Sequence, residues 1–180
     1  MRWIKAGRRR TAYQKPMTTL ATEPLRATDI RPAYPLIRSA LPDLSPARWI
    51  AYARRAQRSS TNGIMVVRGA RPFPVGLFCY RVERDLAQGR VLMAHHFVAL
   101  ELREASPITA ALVKGLDRLA RDLGCDAIHS VLHGPEDAMA ACFEGAGHHR
   151  AASVYAKTLQ SPEEHGIHAA LSAPAGGRPL

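Results

Sequence analysis

The sequence predicts one α/β domain of the α+β kind, in which helices flank a central, mostly antiparallel mixed sheet. Three observations predict this. Short β-branched and aromatic runs, separated by turn residues, fill the middle of the chain and are typical of antiparallel strands. A strongly amphipathic helix begins at Pro107, and another apolar run follows it around Ile128. The length of 180 residues suits one domain with tails.

The first elements are a short strand and two helices. We expect the strand at Leu25 to Ala27 and a helix whose N-cap is formed by Thr28-Asp29, with Pro32 and Pro35 confining or kinking its first turn. Ser45-Pro46 forms a second cap, after which apolar residues recur at helical spacing. This half of the chain therefore predicts a strand followed by two helices.

Three strands follow in the middle of the chain. Ile64 to Val67 and Val75 to Val82 are rich in β-branched and aromatic residues, and the glycine and proline between them favour an antiparallel pair. A turn over Asp85 to Gly89 leads into a third strand, Val91 to Leu102. The pattern predicts a meander of neighbouring strands.

The last third alternates helix and strand. The helix that begins at Pro107 has one apolar stripe and ends before Gly124, which suits the position after a helix. We then expect a strand at Asp126 to Leu132 and a short helix that starts within 134–137. A last strand is predicted at Val154 to Leu159.

The two ends differ in composition from the middle. The formal net charge is +10, and six basic residues with no acid lie within residues 1–16. We interpret residues 1–16 as a basic disordered tail, with either Met1 or Met17 as the true start. Residues 161–180 are rich in Pro, Gly and Ala, which predicts a second disordered tail. The folded domain is expected over residues 17–160.

The cysteines and the hydropathy pattern indicate the compartment. Cys79, Cys125 and Cys142 lie in apolar runs without short-spacing pairs, so we expect reduced thiols and neither a disulfide framework nor a metal site. No apolar stretch approaches the ~18 residues that a membrane span needs. The expectation is a cytoplasmic protein without a membrane partner.

The order of elements resembles the GNAT acyltransferase superfamily, whose members move an acyl group from coenzyme A to an amine. The resemblance covers Leu25 to Leu159. It rests on the opening Leu-Arg-Ala-Thr-Asp-Ile at 25–30, the long strand that enters the Ser106-Pro107 helix, and the Gly147-His148 turn before Tyr-Ala-Lys-Thr-Leu at 155–159. It implies acetyl-CoA or another acyl-CoA as cosubstrate.

By the resemblance, the coenzyme contacts fall on the end of the third meander strand and on the helix that follows it: Leu100, Leu102, Arg103, Ser106, Ile108, Thr109 and Ala110. The superfamily's pyrophosphate loop carries Gln or Arg, then two residues, a Gly, one residue, and a Gly or Ala, and this chain lacks that motif. One register places Arg103, Ser106 and Ile108 at the loop positions. A second register places Glu104, Pro107 and Thr109 there, and neither supplies a glycine.

Four residues are candidates for proton transfer, of which the two adjacent histidines are alternatives. Glu101, near a strand end, is the first candidate for the base, and His96, or its neighbour His95, is the next. Members often protonate the departing thiolate with a tyrosine, but Phe143 occupies that position here, so Tyr155 is the candidate for the acid. Each has a structural alternative: an ion-paired glutamate, a packed histidine or a packed tyrosine.

The function that we expect is direct transfer of an acetyl or other short acyl group to a small-molecule or peptide amine. A catalytically inactive GNAT-like module that binds a ligand or a protein is the alternative. A third possibility is nucleic-acid binding, expected only as non-specific contact through the basic tail. Homodimerisation stays open.

Overall fold

A computed structural model describes residues 20–100, 106–132, 137–152, 154, 155 and 157. The chain divides into two compact units, Met1–His149 and Arg150–Leu180. The strands and helices reported below all lie in the first unit. Among the described helices, none is long and apolar enough to cross a membrane.

The first unit is a five-stranded sheet with helices on both faces. Its strands are β1 (Ala21–Pro24), β2 (Asn62–Arg68), β3 (Gly76–Asp85), β4 (Gly89–Ala99) and β5 (Ala127–Ser130). Its α-helices are α1 (Tyr34–Ala40), α2 (Pro46–Gln57), α3 (Pro107–Asp122) and α4 (Asp137–Gly145), and a 3₁₀ turn spans Ala27–Asp29.

The strands lie in sequence order across the sheet. Neighbouring strands are antiparallel from β1 to β4, whereas β5 runs parallel to β4. The parallel step follows from the connection, because the chain returns through α3 before it forms β5. The predicted fold class, a mostly antiparallel mixed sheet flanked by helices, is confirmed.

Two apolar cores cover the two faces of the sheet. Helices α1 and α2 pack on one face, which we call the α2 face, around the buried Trp49 and the inward residues of β2 and β3. Helices α3 and α4 pack on the other, the α3 face, where Phe78, Leu112 and Leu116 are fully buried. Residues that alternate along β2 and β3 enter opposite cores, as the period of a strand requires.

The first strand lies earlier than predicted. β1 spans Ala21–Pro24, whereas Leu25 makes one further bond from its N–H to the carbonyl of Ile64, 2.9 Å away, before the 3₁₀ turn. The segment has little apolar character, and polar contacts hold this edge strand in place. Glu23 pairs with Arg68, and the Thr22 hydroxyl donates to the Ala111 carbonyl at 2.8 Å.

The predicted first helix is shorter than expected. Asp29 lies in the 3₁₀ turn, where it is buried and paired with Arg68, and α1 begins only at Tyr34. Pro32 and Pro35 explain the delay, since a proline ring fits only the first turn of a helix and supplies no N–H. By contrast, the Ser45-Pro46 cap of α2 is confirmed, with Ser45 Oγ accepting from the Arg48 N–H.

The last predicted strand is wrong at the residues that the structure describes. Val154, Tyr155 and Lys157 form no strand, and Val154 and Tyr155 are 73% and 96% exposed. A strand needs partners for its peptide groups, which the local sequence pattern alone does not provide. Cys79, Cys125 and Cys142 all carry free thiols in the structure.

Candidate acyl-transfer site

The central feature of the site is the divergence of β4 and β5. The two strands pair only over Val91–Ala94 and Ala127–Ser130, and the last bond between them joins the Val131 N–H to the Ala94 carbonyl at 2.8 Å. β4 then continues for five residues to Ala99. No described strand pairs with that stretch on the β5 side, so a gap opens there.

A β-bulge lies at the start of the gap. His95 pairs with Cys79 and Val98 with Leu77, so two residues of β4 stand opposite one residue of β3. His96 in the bulge has a φ of 54°, and it is the one non-glycine residue with positive φ in the described chain. Such a conformation is uncommon for a side-chain-bearing residue and clusters at functional sites.

The bulge decides which peptide groups face the gap. The Leu100 N–H donates to the Val75 carbonyl at 2.8 Å, so this N–H is used within the sheet. Because peptide groups in an antiparallel ladder alternate in direction, the N–H of Ala99 points the other way, into the gap. Ala99, and not Leu100, thus offers a backbone N–H on the gap side of β4.

The N-terminus of α3 lies beside the end of β4. Gly76, which pairs with Ala99, has no side chain, and an added Cβ would lie 2.7 Å from Ile108 Cγ2. This close approach fixes the first turn of α3 next to the gap. Ile108 and Thr109 are buried, so their side chains serve the core and any contact to an anion falls to backbone groups.

Few N–H groups of that first turn remain open. Ser106 Oγ accepts from the Ile108 N–H at 3.3 Å, and the Ser106 carbonyl accepts from the Ala110 N–H at 3.0 Å. Pro107 has no N–H. Among bonds between described residues, only Thr109 in this turn has an unused N–H. This helix N-terminus therefore binds an anion more weakly than one whose first four N–H groups are all open.

A row of aromatic rings borders the gap on the α3 face. The ring centroids of Phe97 and Phe78 lie 5.4 Å apart, and Phe143 of α4 meets Phe97 edge-on at 5.1 Å. His148 meets the other side of Phe143 at 5.1 Å and lies 3.4 Å from the Asp117 carboxylate. Phe143 is thus held beside the bulge, but it offers no hydroxyl.

The α2 face carries the polar side chains. The Tyr52 hydroxyl of α2 lies 3.4 Å from His95 Nε2, and it also reaches the Cys79 thiol beneath it. Burial is the main cause that raises the pKa of Tyr52, and burial raises the pKa of Cys79 to about 12. Both groups are therefore protonated at neutral pH, so the Tyr52 hydroxyl can donate to His95 in the tautomer whose Nε2 carries no proton.

Comparison with known proteins bears on the fold alone. No protein-family model matches the chain, and no curated protein matches it in sequence. Solved structures do match: the aminoglycoside N-acetyltransferase AAC(6')-Iy in complex with CoA has a TM-score of 0.68 at 11% identity, over 80% of this chain and 97% of that one. The chain has the GNAT fold.

Two further structures show the same GNAT fold. An acetyltransferase from Trypanosoma brucei matches with a TM-score of 0.62 and 17% identity, over 78% of this chain and all of that one. Glucosamine-6-phosphate N-acetyltransferase from Arabidopsis thaliana matches with a TM-score of 0.63 and 12% identity, over 79% and 99%. The predicted resemblance is confirmed at the level of the fold.

The site residues predicted from the sequence fall into three groups in this GNAT fold. Glu101, Leu102 and Arg103 lie outside the described residues. His96 occupies the bulge, and Leu100, Ser106, Ile108, Thr109 and Ala110 flank the gap as described above. Tyr155 belongs to the second unit and is fully exposed to solvent. Within the described part of the chain, no cluster of three His, Cys, Asp or Glu could hold a metal ion.

The contact between Tyr52 and His95 was missed by the sequence analysis. Of the two residues, His95 is one of the sequence-based candidates for the base. Their 43-residue separation hides the pairing. The alternation of β4 does not reveal it either, because the bulge breaks the alternation and the rings of His95 and His96 lie 4.7 Å apart, edge-on.

Proposed function

We propose that the protein transfers an acyl group from acyl-CoA to a primary amine by direct attack. The observation that carries the proposal is the gap between β4 and β5, with an N–H of β4 facing it and a helix N-terminus at its end. The GNAT fold supports it, and the matching structures include complexes with CoA and with a CoA-based bisubstrate analogue.

In this proposal acyl-CoA lies in the gap along β4. The Ala99 N–H donates to the acyl-pantetheine arm, and the Thr109 N–H at the start of α3 contacts a phosphate. Leu100, Ser106, Ile108 and Ala110 flank the same gap, and Leu102 and Arg103, which lie outside the described residues, stay proposals for coenzyme contacts. Such backbone contacts fix the thioester in place without any charged side chain on β4.

The amine approaches from the α2 face and loses a proton there. The Tyr52 oxygen accepts a proton from the ammonium group while the Tyr52 O–H proton passes to His95 Nε2. One N–H bond breaks and one forms, leaving a neutral amine and an imidazolium. His96 and Glu101, the candidates from the sequence, remain proposals for the same task.

The amine nitrogen then attacks the thioester carbonyl. A C–N bond forms, the C–S bond breaks, and the second proton that the nitrogen loses neutralises the CoA thiolate, directly or through water, while the first proton passes from His95 to solvent. Phe143 supplies no proton at the position where the superfamily often has a tyrosine. Tyr155 remains a proposal for that acid.

A second candidate is a non-catalytic acyl-CoA-binding module. Two observations favour it, namely the absence of a hydroxyl on Phe143 and the single open N–H in the described first turn of α3. It differs from the first candidate in one measurable respect, because it binds acyl-CoA and leaves the thioester intact in the presence of amines.

Mass spectrometry of reaction mixtures tests the proposal. The protein is incubated with acetyl-CoA and a panel of primary amines, and products that are 42 mass units heavier than an amine are sought, about the mass of an added acetyl group. We expect amine acetylation above the rate without protein. Thermal stabilisation by acetyl-CoA with no acetylated amine would favour the binding module. The absence of both stabilisation and acetylation would contradict both candidates.

A further inference from the structure

The edge of α2 that carries Tyr52 also carries two arginines. Arg48 precedes Tyr52 by four residues and Arg55 follows it by three, so the three side chains form one stripe along the helix. Both arginines are exposed, and neither forms an ion pair with another described residue. Arg54 is also exposed, but it lies about 200° around the helix from Tyr52, at ~100° per residue.

The strand beneath adds a third positive charge. Arg81 of β3 lies close enough to Tyr52 for its charge to lower the pKa of that hydroxyl, against the larger effect of burial. Glu83 pairs with Arg81 at 3.0 Å and offsets part of this charge. Tyr52, whose hydroxyl lies 3.4 Å from His95 Nε2, therefore lies beside an excess of positive charge.

The segment that contains α1 and α2 carries an excess of the same sign of charge, even with Arg26 paired to Glu23. Residues 25–61 contain seven arginines and two aspartates. One of the two, Asp29, is buried and already paired with Arg68. Asp43 is thus the one exposed acid on this segment. A cleft bordered by one sign of charge concentrates ligands of the opposite sign and repels those of its own.

From this arrangement we infer that the acceptor is a small amine that carries an anionic group, a carboxylate or a phosphate, and this inference rests on the proposed acyl transfer. The anionic group contacts Arg48 and Arg55 while the amine faces Tyr52 and His95. Arginine suits this task because its planar donors bind carboxylate and phosphate in pairs. A polycationic amine meets three like charges at the same place.

Matched acceptors test the inference. We would measure kcat/KM with saturating acetyl-CoA for glucosamine-6-phosphate against glucosamine, for aspartate against asparagine, and for the polycation sisomicin. We expect the anionic member of at least one pair to exceed its neutral partner by about tenfold, and this ratio to fall as salt rises. The phosphate and carboxylate pairs distinguish the two sources of negative charge.

Charge reversal provides the matched variants. Arg55→Glu should abolish the preference for the anionic acceptor, and Arg48→Glu should do the same. Arg54→Glu, one residue away on the opposite side of α2, should keep it. Circular dichroism confirms that each variant is folded, and Arg55→Gln replaces Arg55→Glu if the latter is not.

Two outcomes would overturn the inference, and they are distinguishable. The anionic acceptor is contradicted if kcat/KM for sisomicin and the neutral amines equals or exceeds that for the anionic amines, and if Arg54→Glu and Arg55→Glu have the same effect. That outcome leaves acyl transfer intact. No acetylation of any of the five amines contradicts the acyl transfer on which the inference rests, and the inference with it.

Discussion

In the proposed acyl transfer, the donor side of the site, where acyl-CoA lies along β4, and the acceptor side, where the amine meets the α2 face, consist of different kinds of groups. The donor side consists of backbone groups and apolar rings: the Ala99 N–H facing the gap and the first turn of α3, with the rings of Phe97 and Phe143 beside them. The acceptor side consists of polar side chains, with Tyr52 and His95 in contact above a buried thiol. A cosubstrate that is always the same can be recognised by main-chain groups and apolar packing, whereas recognition of a particular amine depends on the identity of the side chains.

The difference predicts which substitutions change which step. Side-chain changes on the acceptor side should alter turnover and leave acyl-CoA binding unchanged. Changes on the donor side should act through backbone donors and packing, and they should appear in acyl-CoA affinity or in the protonation of the leaving group. The predictions below test this separation, starting with the largest effect.

Removal of the proton path should have the largest effect. His95→Gln should lower kcat ~10²- to 10⁴-fold, and Tyr52→Phe should lower it ~10²-fold, because the amine then loses its proton acceptor. The dissociation constant of acetyl-CoA, measured by calorimetry, should change less than about twofold.

Tyr80→Phe is the control for the tyrosine change. Tyr80 is also a half-buried tyrosine with a pKa raised by burial, but it belongs to the α3 face. Its substitution should leave kcat unchanged. An equal loss of kcat in Tyr52→Phe and Tyr80→Phe would show that the Tyr52 hydroxyl affects turnover through packing and not through proton transfer.

The second prediction concerns the vacant acid. Phe143→Tyr places a hydroxyl on the ring that meets Phe97 beside the bulge, so a proton donor becomes available to the thiolate. We expect kcat to rise about tenfold at neutral pH, less than the full range for acid catalysis because the hydroxyl also has to be desolvated. Unchanged or lower kcat in a folded Phe143→Tyr protein would place the leaving sulfur elsewhere.

The third prediction compares two helix caps of the same type. Ser45 and Ser106 each precede a proline and each accept a backbone N–H at 3.3 Å, at α2 and α3 respectively. Replacement of either by Ala should lower the unfolding free energy by about 1 kcal/mol. Only Ser106→Ala should change acetyl-CoA affinity, by about threefold towards tighter binding, because it frees the Ile108 N–H at the donor side.

Unfolding in urea and calorimetry supply the two readouts for these cap variants. The same affinity in Ser45→Ala, Ser106→Ala and the unsubstituted protein would remove the start of α3 from the coenzyme site.

The smallest effect concerns pH and the buried thiol. The pKa of Cys79 is about 12 in the folded protein, above its ordinary value of 9.0. The folded state therefore holds a proton that the unfolded chain releases, so the stabilisation is fully present below pH 9 and is lost as pH rises towards 12. Cys79→Ala should flatten this fall in unfolding free energy between pH 9 and 10.5.

Cys142→Ala, on the donor side, is the control for the thiol and should leave the pH dependence unchanged. Urea midpoints at the two pH values measure the slope. A slope in Cys79→Ala as steep as in the unsubstituted protein would mean that the thiol does not contribute.

Local signals predicted the elements that have strong local patterns. The Ser-Pro caps and the apolar stripes located α2 and α3, and Gly124, at a φ of 62°, follows α3 as expected. β1 was misplaced because its residues are held by polar contacts to Arg68 and Ala111, far along the chain. Such an edge strand has no apolar alternation to detect.

The site was less predictable than the fold. His95 and His96 were recognised as candidates, but the bulge depends on a positive φ at a histidine, which local sequence does not indicate. The bulge in turn decides that Ala99 and not Leu100 faces the gap. The pairing of Tyr52 with His95 depends on the packing of α2 onto the sheet, which the sequence pattern does not specify.

Residue-resolved amide hydrogen exchange, with and without CoA, tests the central claim most directly. In the free protein the Ala99 amide should exchange at least ~100-fold faster than those of Val98 and Leu100, which are bonded within the sheet. Saturating CoA should slow Ala99 and Thr109 and leave Val98 and Leu100 nearly unchanged. Unaltered exchange at Ala99 and Thr109 at saturating CoA would contradict the account, because acyl-CoA would then not occupy the gap between β4 and β5.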